Sequence, residues 1–183
     1  MVERKIHLRP LSLDDLDNLM TWINDPEVTK NLAKFNQEIT RKQEREFLEL
    51  MLVSEKDKVF SIENEKQEYI GQIGINNIYW PARTGRLGLI IKKEHQNKGY
   101  AMLSIRNILE IAFNDLELNK IWAIFYTTNT KMKHITDNFF FKQEGLLRQE
   151  YFHNEKYHDM FRVAILRQDW IVRRSRFAIP GYE

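Results

Sequence analysis

The stretch Gln96-Asn97-Lys98-Gly99-Tyr100-Ala101, here called the Gly99 loop, constrains the fold of this chain more than any other segment. It follows the apolar, strand-like run Leu87-Gly88-Leu89-Ile90-Ile91, and after it apolar residues recur every three or four positions up to Phe113. A strand that turns through a glycine-containing loop into a helix leaves backbone N–H groups free at the helix start. With the helix dipole, these donors favour a bound phosphate. A lone glycine after a strand is also typical of an ordinary turn, so this interpretation depends on the rest of the chain.

Composition places the chain among ordinary single-domain globular proteins. It has 183 residues, of which 43% are hydrophobic and 30% charged. A formal net charge of +2 gives no field that favours nucleic acid as a partner. The absence of cysteine excludes a disulfide scaffold, thiolate zinc sites and a cysteine nucleophile. Met1 to Pro10 carries charges where a signal peptide needs an apolar run, and no stretch approaches ~18 apolar residues, so no membrane partner and a cytoplasmic location are expected.

The order of predicted elements is β-α-α-β-β-β-α-β-α-β-β, which indicates one mixed α/β domain with α+β character. Ser12 with Asp15, and Thr40 with Gln43, form capping-box patterns before the first two helices, the second of which carries Phe47, Leu50 and Met51. Residues 1–166 are expected to form the domain and residues 167–183 a short basic tail. The predicted strands are Ile6–Arg9, Lys58–Glu63, Tyr69–Trp80, Arg86–Lys92, Lys120–Thr127, Gln143–Phe152 and Tyr157–Leu166, and a short helix is predicted over Thr130–Phe140.

This order, with a phosphate-type loop after the fourth strand, resembles the GNAT superfamily of acyl-CoA-dependent N-acyltransferases. The segment Gly71-Gln72-Ile73-Gly74 resembles the third strand of that family, and Thr128-Asn129-Thr130 matches the asparagine that begins the helix after the fifth strand. Ala112 to Ile121 and Trp22 to Val28 are similar to segments of the branch that contains ribosomal-protein N-terminal acetyltransferases. The resemblance covers about Ile6 to Leu166.

The resemblance implies a central, mostly antiparallel sheet flanked by helices, with its fourth and fifth strands splayed apart. It also implies acetyl-CoA as co-substrate, with the pantetheine arm bonded to backbone groups near Leu89, Ile90 and Ile91. The amides of Gln96, Asn97, Lys98, Gly99, Tyr100 and Ala101 would take the pyrophosphate, with Lys98 either adding a charge there or remaining solvated. Asn129 would bond the pantetheine arm.

The chain departs from the family at two positions that matter for chemistry. Many relatives have a glutamate before the Leu-Gly of the fourth strand, where this chain has Arg86, and a tyrosine where it has Thr136. Arginine cannot act as a base. Thr136 holds the proton-donor position with a weaker donor, and the base is left as ordered water, a carboxylate from elsewhere, or none. Arg83 and Arg86 either recognise an anionic group on the substrate or are solvated loop charges.

Other candidate groups are weaker. The carboxylates of Glu27, Glu94 and Glu144 are expected at the surface. His153 and His158-Asp159 lack a third ligand, so no metal is predicted. The aromatic residues Tyr79, Trp80, Tyr151, Phe152 and Tyr157 would line an acceptor pocket or pack in the core, and the arginines of the tail would be surface charge or contact an anionic partner.

The sequence therefore predicts an N-acetyltransferase that moves acetyl from acetyl-CoA directly to a primary amine. The acceptor is left open among a protein N-terminus, an amino sugar, a polyamine and an aminoglycoside, and homodimer formation is left open as well. The alternative, motivated by the missing glutamate and tyrosine, is a catalytically silent acyl-CoA-binding module. A nucleic-acid-binding protein is a more distant alternative, because the charge is near neutral and no nucleic-acid-reading motif occurs.

Overall fold

The computed structural model describes residues 4–32 and 38–177 of the chain. Within them, one seven-stranded sheet has the order β1-β2-β3-β4-β5-β7-β6. The β4–β5 pair is parallel and every other neighbouring pair is antiparallel, which agrees with the mostly antiparallel sheet that the resemblance implies. The strands are β1 Ile6–Pro10, β2 Lys58–Asn64, β3 Tyr69–Tyr79, β4 Thr84–Ile91, β5 Lys120–Tyr126, β6 Lys142–His153 and β7 Lys156–Leu166.

Helices pack on both faces of the sheet but cover them unequally. On one face, α4, α5 and α6 bury the main core against β3, β4, β5 and β7. On the other face, α1 and α3 pack over Val59, Tyr69 and Ile90 of β2, β3 and β4. The helices are α1 Leu16–Met20, α2 Pro26–Thr29, α3 Arg41–Val53, α4 Tyr100–Glu110, α5 Thr130–Asn138 and α6 Arg167–Arg173.

Local capping chemistry sets the helix starts that the sequence predicts. Ser12 and Asp15 form a capping box around a short 3-10 turn that leads into α1. Thr40 and Gln43 form the second box at the start of α3. The Asp25-Pro26 pair begins α2, because the Asp25 side chain accepts the Glu27 amide at 2.8 Å.

Helix α3 carries the three apolar residues that the sequence predicts on it, but of these only Met51 turns inward. Phe47 and Leu50 are exposed, at 38% and 64%, whereas Glu44 and Leu48 face the interior. The sequence expectation for this helix followed hydrophobicity alone and therefore missed Glu44. The residues that turn inward are Glu44, Leu48 and the half-buried Met51, spaced at i, i+4 and i+7.

The residues that follow the predicted domain begin with a helix that packs on it. Residues 167–173 form α6, and its Trp170 is 1% exposed in the main core. The Trp170 ring lies 6.2 Å from that of Phe139, centroid to centroid. Of the predicted tail, residues 178–183 lie outside the described part. In the described residues, none of the helices combines the length and hydrophobicity required to span a membrane.

Candidate active site

Strands β4 and β5 pair only at their beginnings. The register joins Thr84 to Lys120, Gly85 to Ile121 and Arg86 to Trp122, and then the pairing stops. Beyond that point β4 stays paired with β3 as far as Ile91, and β5 stays paired with β7 as far as Tyr126. The facing edges of β4 and β5 are therefore open on the described part of the chain, which leaves a wedge-shaped gap in the sheet lined by unpaired backbone groups.

The Gly99 loop lies at the far end of β4, where the wedge is widest. Asn97 and Gly99 have positive φ angles of 58° and 87°, so the backbone turns sharply into α4. Among the described residues, none accepts a hydrogen bond from the amides of Asn97, Lys98 or Gly99. The first amides of α4 are also free of intrahelical partners. The loop thus presents a row of backbone donors at a helix N-terminus, an arrangement that suits an anion.

Side chains hold this loop in place. The Gln96 side chain donates to the Ile91 carbonyl at 3.0 Å, which ties the loop to the end of β4. The Tyr100 side chain is buried, and its hydroxyl lies 3.1 Å from a Glu65 carboxylate oxygen. Arg4, which no sequence pattern singled out, places Nη1 3.8 Å from where a Cβ on Gly99 would lie. Lys98 is exposed.

Asn129 begins α5 directly after β5. Its side-chain oxygen accepts the Met132 amide at 3.0 Å, a standard N-cap. No described residue accepts a hydrogen bond from its side-chain NH₂ group. The capping function thus occupies one end of the amide, and the other end remains available to a ligand in the wedge.

Thr136 does not present its hydroxyl to the wedge. The residue is 1% exposed, and its Oγ1 donates to the backbone carbonyls of Met132 and Lys133, each at 3.0 Å. A hydroxyl already committed to its own helix is a poor proton donor to a ligand. The structure therefore does not favour the sequence expectation for this residue.

Arg86 and Trp122 occupy the last paired position, where the wedge begins. Ile121 and Ala123 face the main core, so Trp122 projects from the opposite face of the sheet, which carries no helix at β5 in the described structure. The Arg86 guanidinium carbon lies 5.9 Å from the indole centroid, and that of Arg162 lies at 4.3 Å. These three side chains form what we call the Trp122 cluster.

Arg83 is not part of this cluster. It follows a 3-10 turn with φ 51°, and its carbonyl accepts the amides of Asn119 and Lys120. Its exposed guanidinium lies 3.7 Å from a Glu117 carboxylate oxygen. The two arginines that the sequence could not separate thus have different environments.

The weaker sequence candidates remain apart from the wedge or are paired. Glu27 and Glu94 are exposed beside Lys30 and Lys92, and Glu144 pairs with Lys120 and Arg162. Tyr79, Trp80, Phe152 and Tyr157 are exposed rather than in the core. Within residues 4–32 and 38–177, there is no group of three or more His, Asp or Glu side chains that could hold a metal.

Tyr126 ends β5 on the open side of the wedge. Its hydroxyl is buried and has no hydrogen-bond partner in the described part of the protein. Its ring lies 5.1 Å from that of His158 and 6.2 Å from that of Tyr151, centroid to centroid. Burial raises the pKa of the Tyr126 hydroxyl above its usual value, so the group stays protonated at neutral pH and remains a donor.

Comparison with known proteins assigns the family. The model of the acetyltransferase (GNAT) domain matches residues 5–142, which is well over half of the chain. The chain belongs to the GNAT acetyltransferase family. The resemblance seen in the sequence is thereby confirmed, and the chain is an acyl-CoA-dependent N-acetyltransferase.

Individual relatives agree with this assignment. The chain is similar to an uncharacterised N-acetyltransferase, p20, of Bacillus licheniformis, with 27% identity over 91% of this chain and 95% of the relative. It is 32% identical to the spermidine N(1)-acetyltransferase of Vibrio cholerae over 64% of this chain and 68% of that protein. The crystal structure of spermidine N-acetyltransferase from Vibrio cholerae with CoA and spermine superposes with a TM-score of 0.86 at 26% identity, covering 91% of this chain and 98% of that one.

The acetyltransferase also contains a buried acid that the sequence motifs missed. Glu44 is 4% exposed, and no described residue forms a hydrogen bond or ion pair with its carboxyl group. Burial raises the pKa of this carboxyl to about 7. The i, i+4, i+7 spacing with Leu48 and Met51 was the available signal, because it places an acid on the inward face of an amphipathic helix.

Asp15 is also a buried acid, but it accepts hydrogen bonds that Glu44 does not have in the described structure. Burial by itself raises the pKa of Asp15, but hydrogen bonds from Arg9, Ser61 and the Ser12 amide outweigh it and lower the pKa. Glu44 has no such donors. It lies near Tyr69, whose buried hydroxyl also has no acceptor in the described structure.

Glu44→Gln is expected to stabilise the protein above neutral pH. The folded-state pKa exceeds the unfolded one, so the folded chain keeps a proton that the unfolded chain releases, and stability falls as pH rises from about 4.5 through 7. Removing the ionisable group should recover up to about 3 kcal/mol at pH 8 and almost nothing at pH 4.5. Urea unfolding across this pH range, with exposed Glu49→Gln as the control on the same helix, measures the difference. Equal stability of Glu44→Gln and wild type at pH 8 would contradict the expectation.

Proposed function

We propose that this acetyltransferase binds acetyl-CoA in the wedge between β4 and β5 and transfers the acetyl group to a primary amine that approaches from the face of the Trp122 cluster. The observation that carries the proposal is the end of β4–β5 pairing after Arg86 and Trp122. A cytoplasmic location and a homodimer remain predictions from the sequence.

The groups around the wedge fit the chemistry of the coenzyme. The pantetheine arm contains two amides, which need backbone partners such as those on the open edge of β4 at Leu89, Ile90 and Ile91. The side-chain NH₂ of Asn129 and the hydroxyl of Tyr126 are further donors that have no acceptor among the described residues. The pyrophosphate matches the free amides from Asn97 to Ala101, with Arg4 as an additional cation beside Gly99. The Gln96 amide, which the sequence also assigned to the pyrophosphate, instead donates to the Lys93 carbonyl at 3.2 Å.

In direct acetyl transfer, the protein itself forms no covalent bond to the substrate. The amine nitrogen forms a bond to the acetyl carbon, the carbon–sulfur bond breaks, and the proton lost by nitrogen is balanced by one gained by sulfur. Backbone donors fixed along β4 can stabilise the oxyanion that develops on the acetyl carbonyl. The protein therefore contributes mainly orientation, exclusion of water and fixed dipoles.

Amine-dependent release of CoA distinguishes an enzyme from a silent binding module. Because the chain contains no cysteine, a thiol reagent added to the reaction reports only free CoA. We expect thiol release that depends on both acetyl-CoA and an amine, and that rises with pH as more amine is neutral. Binding of acetyl-CoA without release by any primary amine would support the silent module.

Gly99→Glu is expected to weaken acetyl-CoA binding by at least about tenfold, because it places a carboxylate at the proposed pyrophosphate site beside Arg4. Gly99→Ala is the matched control, since it brings the same strain at φ 87° without the charge. Calorimetry measures both affinities. If Gly99→Glu folds and binds no more weakly than Gly99→Ala, the pyrophosphate lies elsewhere.

Two variants of Asn129 separate its capping role from coenzyme binding. Asn129→Ala removes both functions and should cost about 1 kcal/mol of stability through the lost cap. Asn129→Asp keeps an oxygen for the Met132 amide but has no NH₂ group. Both variants should show a smaller rise in melting temperature with acetyl-CoA than wild type, because a ligand contact worth ~0.5–1.5 kcal/mol is lost. A wild-type rise for Asn129→Asp would leave Asn129 as a cap only.

A further inference from the structure

Arg86 is a cation without a counter-ion among residues 4–32 and 38–177. Its side chain is half-buried, and no described residue forms an ion pair or hydrogen bond with its guanidinium group; its stacking neighbour is the indole of Trp122. Burial lowers the pKa of Arg86, a sign that the surroundings of the charge oppose ionisation rather than compensate it. An arginine nevertheless remains charged in proteins. A buried charge of this kind is normally paired, so its partner is to be sought in a ligand.

Arg162 brings a second guanidinium to the same indole. It lies across the sheet on β7, in register with Ile124, and stacks on Trp122 at 4.3 Å. Its Nε lies 3.7 Å from a Glu144 oxygen that belongs to a carboxylate shared with Lys120. One carboxylate therefore serves two cations, and with Arg86 the local excess is two positive charges. A flat indole that orients two guanidinium groups is suited to a planar or tetrahedral anion.

Asn76 lies beside Arg86 on the same face of the sheet, because the two residues are in register across β3 and β4. Its side-chain oxygen occupies the space next to Gly88, where a Cβ would meet it at 3.0 Å. The glycine therefore makes room for the Asn76 amide, which adds a neutral polar group and no negative charge beside Arg86.

We propose that the amine acceptor carries an anionic group close to its nitrogen, and that Arg86, oriented on Trp122 and assisted by Arg162, binds this group. The inference rests on the proposed function and names the substrate class of the same site. Carboxylate and phosphate share the required chemistry, so amino acids and phosphorylated amino sugars are the two sources to compare. A polyamine is disfavoured, because its several ammonium groups would meet an excess of positive charge.

Matched pairs of acceptors test the proposal. Each pair differs only in the anion: the L-α-amino acids against their carboxamides, and glucosamine 6-phosphate against glucosamine, with spermidine as the polycation. For wild type, kcat/KM should be at least about tenfold higher for the anionic member of one series, the range expected of a charged hydrogen bond. Equal rates within every pair, or spermidine as the best acceptor, would overturn it.

Variants test whether the preference for anionic over neutral acceptors depends on Arg86. Arg86→Gln should reduce the anionic-to-neutral ratio to near one while acetyl-CoA affinity stays at the wild-type value. Arg86→Glu should invert the ratio and increase the relative rate with spermidine. Arg83→Gln, which removes an exposed arginine three residues away, should leave the ratio unchanged. A ratio unaffected by Arg86→Gln would also overturn the proposal.

Failure of the inference and failure of the proposed function give different results. A protein that acetylates neutral amines or spermidine best keeps the function and loses the anionic acceptor. Acetyl-CoA binding with no turnover of any acceptor contradicts both. Absence of coenzyme binding removes the proposed function at its first step, and with it the inference that rests on that function.

Discussion

The end of β4–β5 pairing after Arg86 and Trp122 is the constraint on which the site depends. Each strand keeps its outer neighbour, β3 or β7, so the separation leaves hydrogen-bonding groups unpaired on a single edge of each. Unpaired backbone groups away from water are costly unless a ligand or solvent satisfies them. The gap is therefore a feature that the surrounding sheet stabilises and that an extended ligand with its own amides can complete. The same geometry places the free amides of the Gly99 loop at its wide end.

Helices cover the two faces of the sheet unequally, so different groups border the gap on each face. On the core side, α4 and α5 supply helix starts, at Gly99 and Asn129, that direct donors towards the wedge. On the other side, α1 and α3 cover β2, β3 and β4 but leave Trp122 and Arg162 without a helix above them in the described structure. In the proposed function, coenzyme binding and acceptor choice therefore depend on opposite faces of the sheet, and the acceptor face can change while the coenzyme site is kept.

The amino-acid sequence predicts those parts of the structure that depend on contacts between neighbouring residues. The strand runs, both capping boxes and the Gly99 loop depend on neighbours within a few residues, and the spacing locates them. The environment of a side chain is not predicted where it depends on strand register or on packing between distant segments. Arg83 and Arg86 have the same chemistry three residues apart, and only the strand register shows that one meets Glu117 and the other Trp122. Thr136 aligns with a proton-donor position, yet its hydroxyl is bound by its own helix turn. Glu44 was missed because an acid on a charged helix is normally solvated.

Arg86 stands where many GNAT proteins have a glutamate. In the proposed site this replacement affects the pKa of the acceptor amine as well as the choice of acceptor. A glutamate attracts ammonium groups and can take a proton from them, whereas a cation at the same position lowers the pKa of a nearby ammonium. The neutral amine, which is the reactive form, is then more populated without a protein base. The energetic cost is weaker attraction of the acceptor nitrogen, and an anion on the acceptor offsets that cost through Arg86 and Arg162. In this proposal the absence of a protein base and the presence of an arginine without a described counter-ion both follow from the same replacement of glutamate by Arg86. In this proposal the acceptor supplies the negative charge that the family resemblance places on β4 as a glutamate.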